Sequence, residues 1–267
     1  MPPSFCVTGG RALKGTIRPA GNKNAALPIL AATLLADGPC RIDNVPHIRD
    51  VETMLALLEH LGAAVRWQGP NTVEVDAGKA EPRALDPALC ATIRASILLA
   101  GPMLARFGRV SLPPPGGDVI GRRRVDTHFL ALERLGAEIT VGDTYKLEGK
   151  LTGADIFLDE PSVTGTENAL MAAVGARGTT VEGGTGLGAA PPPYTIGPDH
   201  IEIGSFIGLA AVTNGAVTID GVRGDDLRST LLGFERLGVR PRLDGTQLVV
   251  DADQERRIRP DLGGHVP

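Results

Sequence analysis

Aromatic residues are scarce in this chain: one Trp, two Tyr and six Phe make up 3% of its 267 residues. Base-stacking recognition of single-stranded nucleic acid is therefore excluded, and the core must be built from Leu, Val, Ile and Ala. Cysteine is nearly absent as well. Cys6, Cys40 and Cys90 lie far apart with no CxxC spacing, which excludes a disulfide framework and a zinc knuckle and fits a reducing cytoplasm. Long apolar runs are missing. Nothing approaches the roughly 18 residues of a membrane span, and the opening MPPSFCVTGGRALKG has no signal-peptide core, so a soluble, cytoplasmic protein with no membrane partner is expected. An excess of positive charge is lacking too. The net charge of −4 argues against nucleic acid as a partner and confines any anion site to a local cluster. The five histidines show neither HxH nor HxxxH spacing, so no metal is expected. GGTGLG runs into prolines instead of a helix, and GGDVIGRRR has no GK followed by Ser or Thr; dinucleotide and P-loop readings both fail.

What is present is a repeat. LLEHLGAAV, ALERLGAEI and GFERLGVRP align without gaps, each a helical period stopped by Leu-Gly and followed by two short strand-like runs. Upstream of each stands an alanine-rich apolar helix and one strand: LPILAATLLA before CRIDNV, RASILLAGPMLARF before RVSL, IEIGSFIGLAAV before AVTID. The unit reads helix, strand, helix, strand, strand. A fourth copy opens with the helix ENALMAAVGARG and the strand GTTVE, then gives way to GGTGLGAAPPPYTIGP, either a linker or the scar of a lost half unit.

Three constellations carry chemistry. PPPGGDVIGRRRVDTH presents Asp118 beyond two glycines and gathers Arg122, Arg123 and Arg124 ahead of a helix that Asp126 is expected to cap and Gly136 to close. Asp118 reads as a turn-stabilising carboxylate or as a general acid. GNKNAALP places Lys23 at a helix N-terminus, with Asn22 or Asn24 as cap and Pro28 in the first turn, where an anionic ligand would relieve the conflict with the helix dipole. Arg94 in ATIRASILLAG emerges from an apolar helical face and calls for a core carboxylate or a bound anion. EPSVTGTEN has the spacing of a capping box from Thr164 to Glu167, Asp199 reads as the cap of the next helix, and His128 as a surface histidine or a ligand contact.

GNKNAALP, TIRAS, LPPPGGDVIGRRRVDTH, EPSVTGTENALMAA and GPDHIEIGSF, in this order, resemble the UDP-N-acetylglucosamine 1-carboxyvinyltransferase family of enolpyruvyl transferases. The related shikimate-pathway transferases have Lys-Ser where this chain has Lys23 and Asn24. The resemblance implies an α/β (α+β) fold, an inside-out α/β barrel of the repeated unit, here incomplete. It also implies a first domain over 21–185 lacking half of its third unit, a partial second domain from 1–20 plus 196–267, and a Gly/Pro-rich junction at 183–198. The implied substrates are phosphoenolpyruvate and UDP-N-acetylglucosamine, with no cofactor and no metal, in the reaction that opens peptidoglycan synthesis. Lys23, Asn24 and Arg123 would hold phosphoenolpyruvate, Arg94 the sugar nucleotide, and Arg123, Arg124, Val125, Asp126 and Thr127 the uridine and pyrophosphate. Glu160, Pro161, Ser162 and Val163 would reach the uracil, and Asp118 would protonate the methylene carbon. Most members carry cysteine where this chain has Asp118, so insensitivity to fosfomycin is expected. The second-domain aspartate that accepts the sugar hydroxyl proton has no counterpart here, and a chain without it can bind without turning over.

Overall fold

In the computed structural model, which describes residues 4, 6–117, 124–178 and 192–257, the chain forms two compact units. The larger spans 23–196; the smaller joins 1–22 to 197–267, so the backbone passes between them twice.

Strand β1 (Lys14–Ile17) leads into helix α1 (Lys23–Ala32), which a short 3-10 turn extends through Leu35. Then come β2 (Cys40–Asp43), α2 (Arg49–His60), β3 (Ala64–Gly69) and β4 (Thr72–Asp76), the first full unit. After a single turn α3 (Pro87–Cys90), the second unit opens with a 3-10 stretch (Arg94–Leu99) continued by α4 (Ala100–Phe107). It goes on through β5 (Arg109–Leu112), α5 (Asp126–Arg134), β6 (Glu138–Thr140) and β7 (Tyr145–Glu148). Helix α6 (Val163–Ala173) stands alone; the strand expected after it, at GTTVE, and the junction 183–191 lie outside the described residues. Strand β8 (Tyr194–Thr195) leads into the last unit, α7 (His200–Val212), β9 (Ala216–Asp220), α8 (Arg228–Arg236), β10 (Arg242–Asp244) and β11 (Gln247–Val250).

The same local rule builds each sheet. The third strand of a unit lies between the first and the second, antiparallel to both, giving β2-β4-β3, β5-β7-β6 and β9-β11-β10. Two sheets gain a parallel neighbour, β8 on β2 and β1 on β9, so the lead-in strand of the first unit completes the sheet of the last and the converse. The Leu-Gly stops all form. Gly62, Gly136 and Gly238 follow α2, α5 and α8 at φ +99°, +98° and +79°, the left-handed position where an added Cβ is penalised.

The larger core is aliphatic, centred on Leu30, Leu34, Met54, Leu57, Leu58, Leu61, Leu98, Leu99 and Met103, with Phe129 the one aromatic buried in it. In the smaller unit, Ile203, Ile207, Ile219, Leu227, Leu248 and Val250 form a separate cluster, to which α8 contributes no fully buried side chain.

Three local expectations are corrected. Pro28 lies at the sixth position of α1, one turn deeper than expected; it removes the N–H that would reach the carbonyl of Asn24, and the helix continues past it. Asp126 is the first residue of α5, after Val125, and its carboxylate is drawn to Arg124 instead of capping. Helix α6 starts four residues before Glu167, because Ser162 caps it by accepting the Gly165 N–H at 3.1 Å; Thr164 lies inside the helix and no Thr164–Glu167 box forms. Asp199 does cap α7, accepting from Ile201 and Glu202.

Candidate functional site

A cavity of about 600 Å³ opens in the larger unit. Its walls come from the start of α1, the start of α2 at Asp50, the 92–98 stretch around Arg94, Gly117 and Arg124 with the start of α5, and the segment from Glu160 into α6. Lys23, Asn24, Arg94, Arg124, Glu160, Ser162 and Val163 line it, although they are spread over more than half of the chain. Of the other candidates, Val125 packs against the core, Thr127 is buried, Asp126 pairs with Arg124 and Pro161 is exposed; none of these lines the cavity. Asp118, Arg122 and Arg123 lie outside the described residues.

The described segment before Asp118 is held as far as Gly117. Gly116 and Gly117 donate their N–H groups to the carbonyls of Cys90 and Ala91 at 2.9 and 3.2 Å. A Cβ on Gly116 would fall 1.8 Å from the Ala91 oxygen, and Gly117 has φ +89° against Arg94. Only glycine allows this approach, so the chain leaves the cavity rim toward Asp118 from a defined point.

The charges of the cavity are held by partners. Lys23 Nζ donates to Asp50 Oδ2 at 2.9 Å, and Asp50 sits in the first turn of α2; this carboxylate, which no sequence motif marked, offsets the lysine at the α1 N-terminus. Arg94 Nη2 donates to the Arg124 carbonyl at 2.7 Å, so it faces the cavity rim and not the interior of an apolar face. Arg124 is bonded to the Asp126 carboxylate, with Asp159 3.9 Å away, and this guanidinium holds the Asp126 carboxyl below the usual carboxylate range. Thr127 reaches both Asp159 and Glu160 at 3.2 Å. Glu167, half-buried in the cavity wall, has its carboxyl pushed up to about 7 by burial, so near neutral pH it carries only part of its negative charge and the lining tips toward positive.

His128 is not a surface histidine. It is 3% exposed, bonded to Asn168 at 2.9 Å and Thr164 at 3.1 Å, and burial with the nearby Arg94 charge lowers its pKa to about 4. Asn168 and Glu167 were not marked in the sequence for such roles; their helical spacing from Thr164, three and four residues, was the available signal. Neither described thiol of the interior is reactive, for burial raises Cys40 and takes Cys90 to about 11. Among the described residues no group of three His, Cys, Asp or Glu side chains could hold a metal, and no helix is long and apolar enough to cross a membrane.

Two helix N-termini, an ammonium and two guanidinium groups surround one concavity, together with the carboxyl groups of Asp50, Glu160 and Glu167, and the cationic groups have the chemistry to meet an anion. Residues 7–189 match the family model of EPSP synthase (3-phosphoshikimate 1-carboxyvinyltransferase). The UDP-N-acetylglucosamine 1-carboxyvinyltransferase of Bradyrhizobium diazoefficiens is 50% identical, with 100% of this chain and 69% of the relative aligned. The protein of the same name from Treponema denticola is 43% identical, over 98% of this chain and 70% of the relative. Among solved structures, the enolpyruvyl transferase NikO from Streptomyces tendae superposes with a TM-score of 0.78 at 20% identity, over 91% of this chain and 66% of that one. EPSP synthase from Acinetobacter baumannii gives 0.70 at 18% identity over the same shares. The fold is thus that of the enolpyruvyl transferases, in a chain that spans about 70% of the length of its curated relatives. No closed barrel is present among the described residues.

Proposed function

The chain belongs to the UDP-N-acetylglucosamine 1-carboxyvinyltransferase family of enolpyruvyl transferases, and on that premise we propose that its cavity takes phosphoenolpyruvate and UDP-N-acetylglucosamine for enolpyruvyl transfer. The observation that carries this reading is the convergence of Lys23, Arg94 and Arg124, from three separate segments, on one cavity. Lys23 and Asn24, with Arg123, hold the phosphate and carboxylate of phosphoenolpyruvate. Arg94, Arg123 and Arg124 hold the sugar nucleotide, with Val125, Asp126 and Thr127 anchoring that segment from outside the cavity, and Glu160, Ser162 and Val163 flank its base. Asp118 gives its proton to the methylene carbon of phosphoenolpyruvate as the sugar 3-hydroxyl oxygen bonds to the neighbouring carbon and passes its own proton to water. A proton of the new methyl group then returns to the Asp118 carboxylate as the carbon–oxygen bond to phosphate breaks, which restores the double bond and releases phosphate. The anionic substrates bound beside the arginines offset the positive charge that would otherwise keep the Asp118 proton from being held.

The domain plan belongs to the same proposal: 21–185 is a first domain short of half a unit, and 1–20 with 196–267 part of a second. Its support is internal. The alignment with the Bradyrhizobium relative runs over 299 positions against the 267 residues of this chain, so at least 32 positions of the relative face a gap. A helix with two strands, as from Arg49 to Asp76, needs 28 residues, so a lost half unit is compatible with that number.

Incubating the purified chain with both substrates and measuring phosphate release tests the activity. Release is expected, abolished in Asp118→Asn while UDP-N-acetylglucosamine still binds by calorimetry. With a carboxylate in place of a thiolate, fosfomycin leaves turnover unchanged, whereas Asp118→Cys makes the chain susceptible to covalent labelling. Binding without any phosphate release supports the second reading, a sugar-nucleotide-binding homologue.

A further inference from the structure

Asn168 is fully buried in α6, and its amide is oriented by two backbone groups. Its Oδ1 accepts the Gly101 N–H at 2.8 Å, and its Nδ2 donates to the Ile97 carbonyl at 2.8 Å. Neither backbone partner can take the opposite role, so the amide has one orientation. The second hydrogen on Nδ2 then meets His128 Nδ1 at 2.9 Å, and that ring nitrogen must present a lone pair. A neutral imidazole with a bare Nδ1 carries its proton on Nε2. Nε2 faces Thr164 Oγ1 at 3.1 Å, so the threonine oxygen accepts and its own hydrogen is released for another partner. Thr164 is exposed and lines the cavity.

We infer that Thr164 donates its hydroxyl hydrogen to an acceptor oxygen of the bound sugar nucleotide, aimed by His128 and Asn168 as positioning residues. An unconstrained threonine on a cavity wall can donate or accept. With one lone pair engaged by an N–H, this one turns its hydrogen away from His128 and favours ligands that offer carbonyl or phosphate oxygen at that point. The chain from Gly101 and Ile97 through Asn168 and His128 to Thr164 is satisfied at every link, and it ties the 3-10 stretch that carries Arg94 to α4, α5 and α6. Burial keeps the ring neutral down to about pH 4, so the polarity of the relay persists at physiological pH.

The ligand half of this inference rests on the function proposed above, and the test separates the two. Calorimetry with UDP-N-acetylglucosamine is run on the full chain and on Thr164→Val and Thr164→Ser. Val keeps the shape and loses the hydroxyl, and about tenfold weaker binding is expected; Ser restores the hydroxyl and brings affinity back to within about twofold. Long-range proton–nitrogen NMR on the unliganded wild type reads the ring directly and should show the proton on Nε2. Equal affinity of Thr164→Val and wild type, or a proton on His128 Nδ1, overturns the inference. Absence of binding by a folded wild-type chain overturns the functional reading, and the ligand contact with it, while the ring tautomer still reports on the relay.

Discussion

His128 and Glu167 lie in the wall of one cavity, and burial moves their titrations in opposite senses. The unfolded imidazole binds its proton near 6.5 and the folded one only near 4, so the unfolded state takes up more protons in that interval. The contribution of His128 is fully present above 6.5 and is lost as pH falls toward 4. Glu167 holds its proton to about 7 when folded and to 4.5 when unfolded; its contribution is complete below 4.5 and is lost as pH rises through 7. Across the shared window the two oppose each other. Glu167→Gln leaves His128 alone, so stability of the variant should climb by about 1–3 kcal/mol from pH 4 to 6.5, a steeper rise than in wild type because the opposing titration of Glu167 is gone. Urea unfolding at a series of pH values measures this, and parallel profiles for the two proteins would remove Glu167 from the account. Neither behaviour was legible in the sequence. Glu167 read as half of a capping box, and only the seating of α6 by Ser162 turned it into the cavity wall.

At the scale of elements, the Leu-Gly stops were the most legible feature, because a helix end needs a left-handed residue whatever surrounds it. What the surroundings add differs from copy to copy. Gly62 and Gly136 share nearly the same φ, but a Cβ on Gly62 would lie 2.8 Å from the Lys79 carbonyl oxygen, whereas on Gly136 the nearest contact is 3.4 Å. Gly136→Ala should cost about 1 kcal/mol from conformation alone, and Gly62→Ala about 2–3 kcal/mol because the backbone of the 79–80 turn must also move. Chemical denaturation of the two variants checks the order; equal losses would show that the turn yields freely. Pro28 was the element-level surprise. A proline costs a helix one bond and some strain, which burial of Ala26, Leu27, Leu30 and Ala31 around it outweighs, and no local rule reports that burial in advance.

At the scale of the molecule, the two units differ in how much apolar surface they bury. Helix α2 buries Val51, Thr53, Met54, Leu55, Leu57 and Leu58, while α8, its counterpart in the last unit, buries none. The smaller unit should therefore open at lower free energy. Hydrogen exchange followed by mass spectrometry is expected to show α8 and β10 exchanging well before α2 and α4, and uniform protection across both units would contradict this. In the larger unit the same accumulation of buried leucine makes the cavity wall a rigid support, so that Lys23 and Arg94 are held by helices packed on a common core.

Sequence alone determined the repeat, the aliphatic core, the helix stops and the family, since periodicity, glycine at a left-handed position and clustered motifs are local or additive properties of the chain. Tertiary structure decided which strands pair across units, that β1 completes the sheet of the last unit and β8 that of the first, and that Asp50 offsets Lys23. It also decided that His128 is buried between Asn168 and Thr164, with burial lowering its pKa to about 4. Hydrogen-bond polarity and burial depend on groups tens of residues apart meeting at about 3 Å, and a linear pattern carries no record of which groups those are.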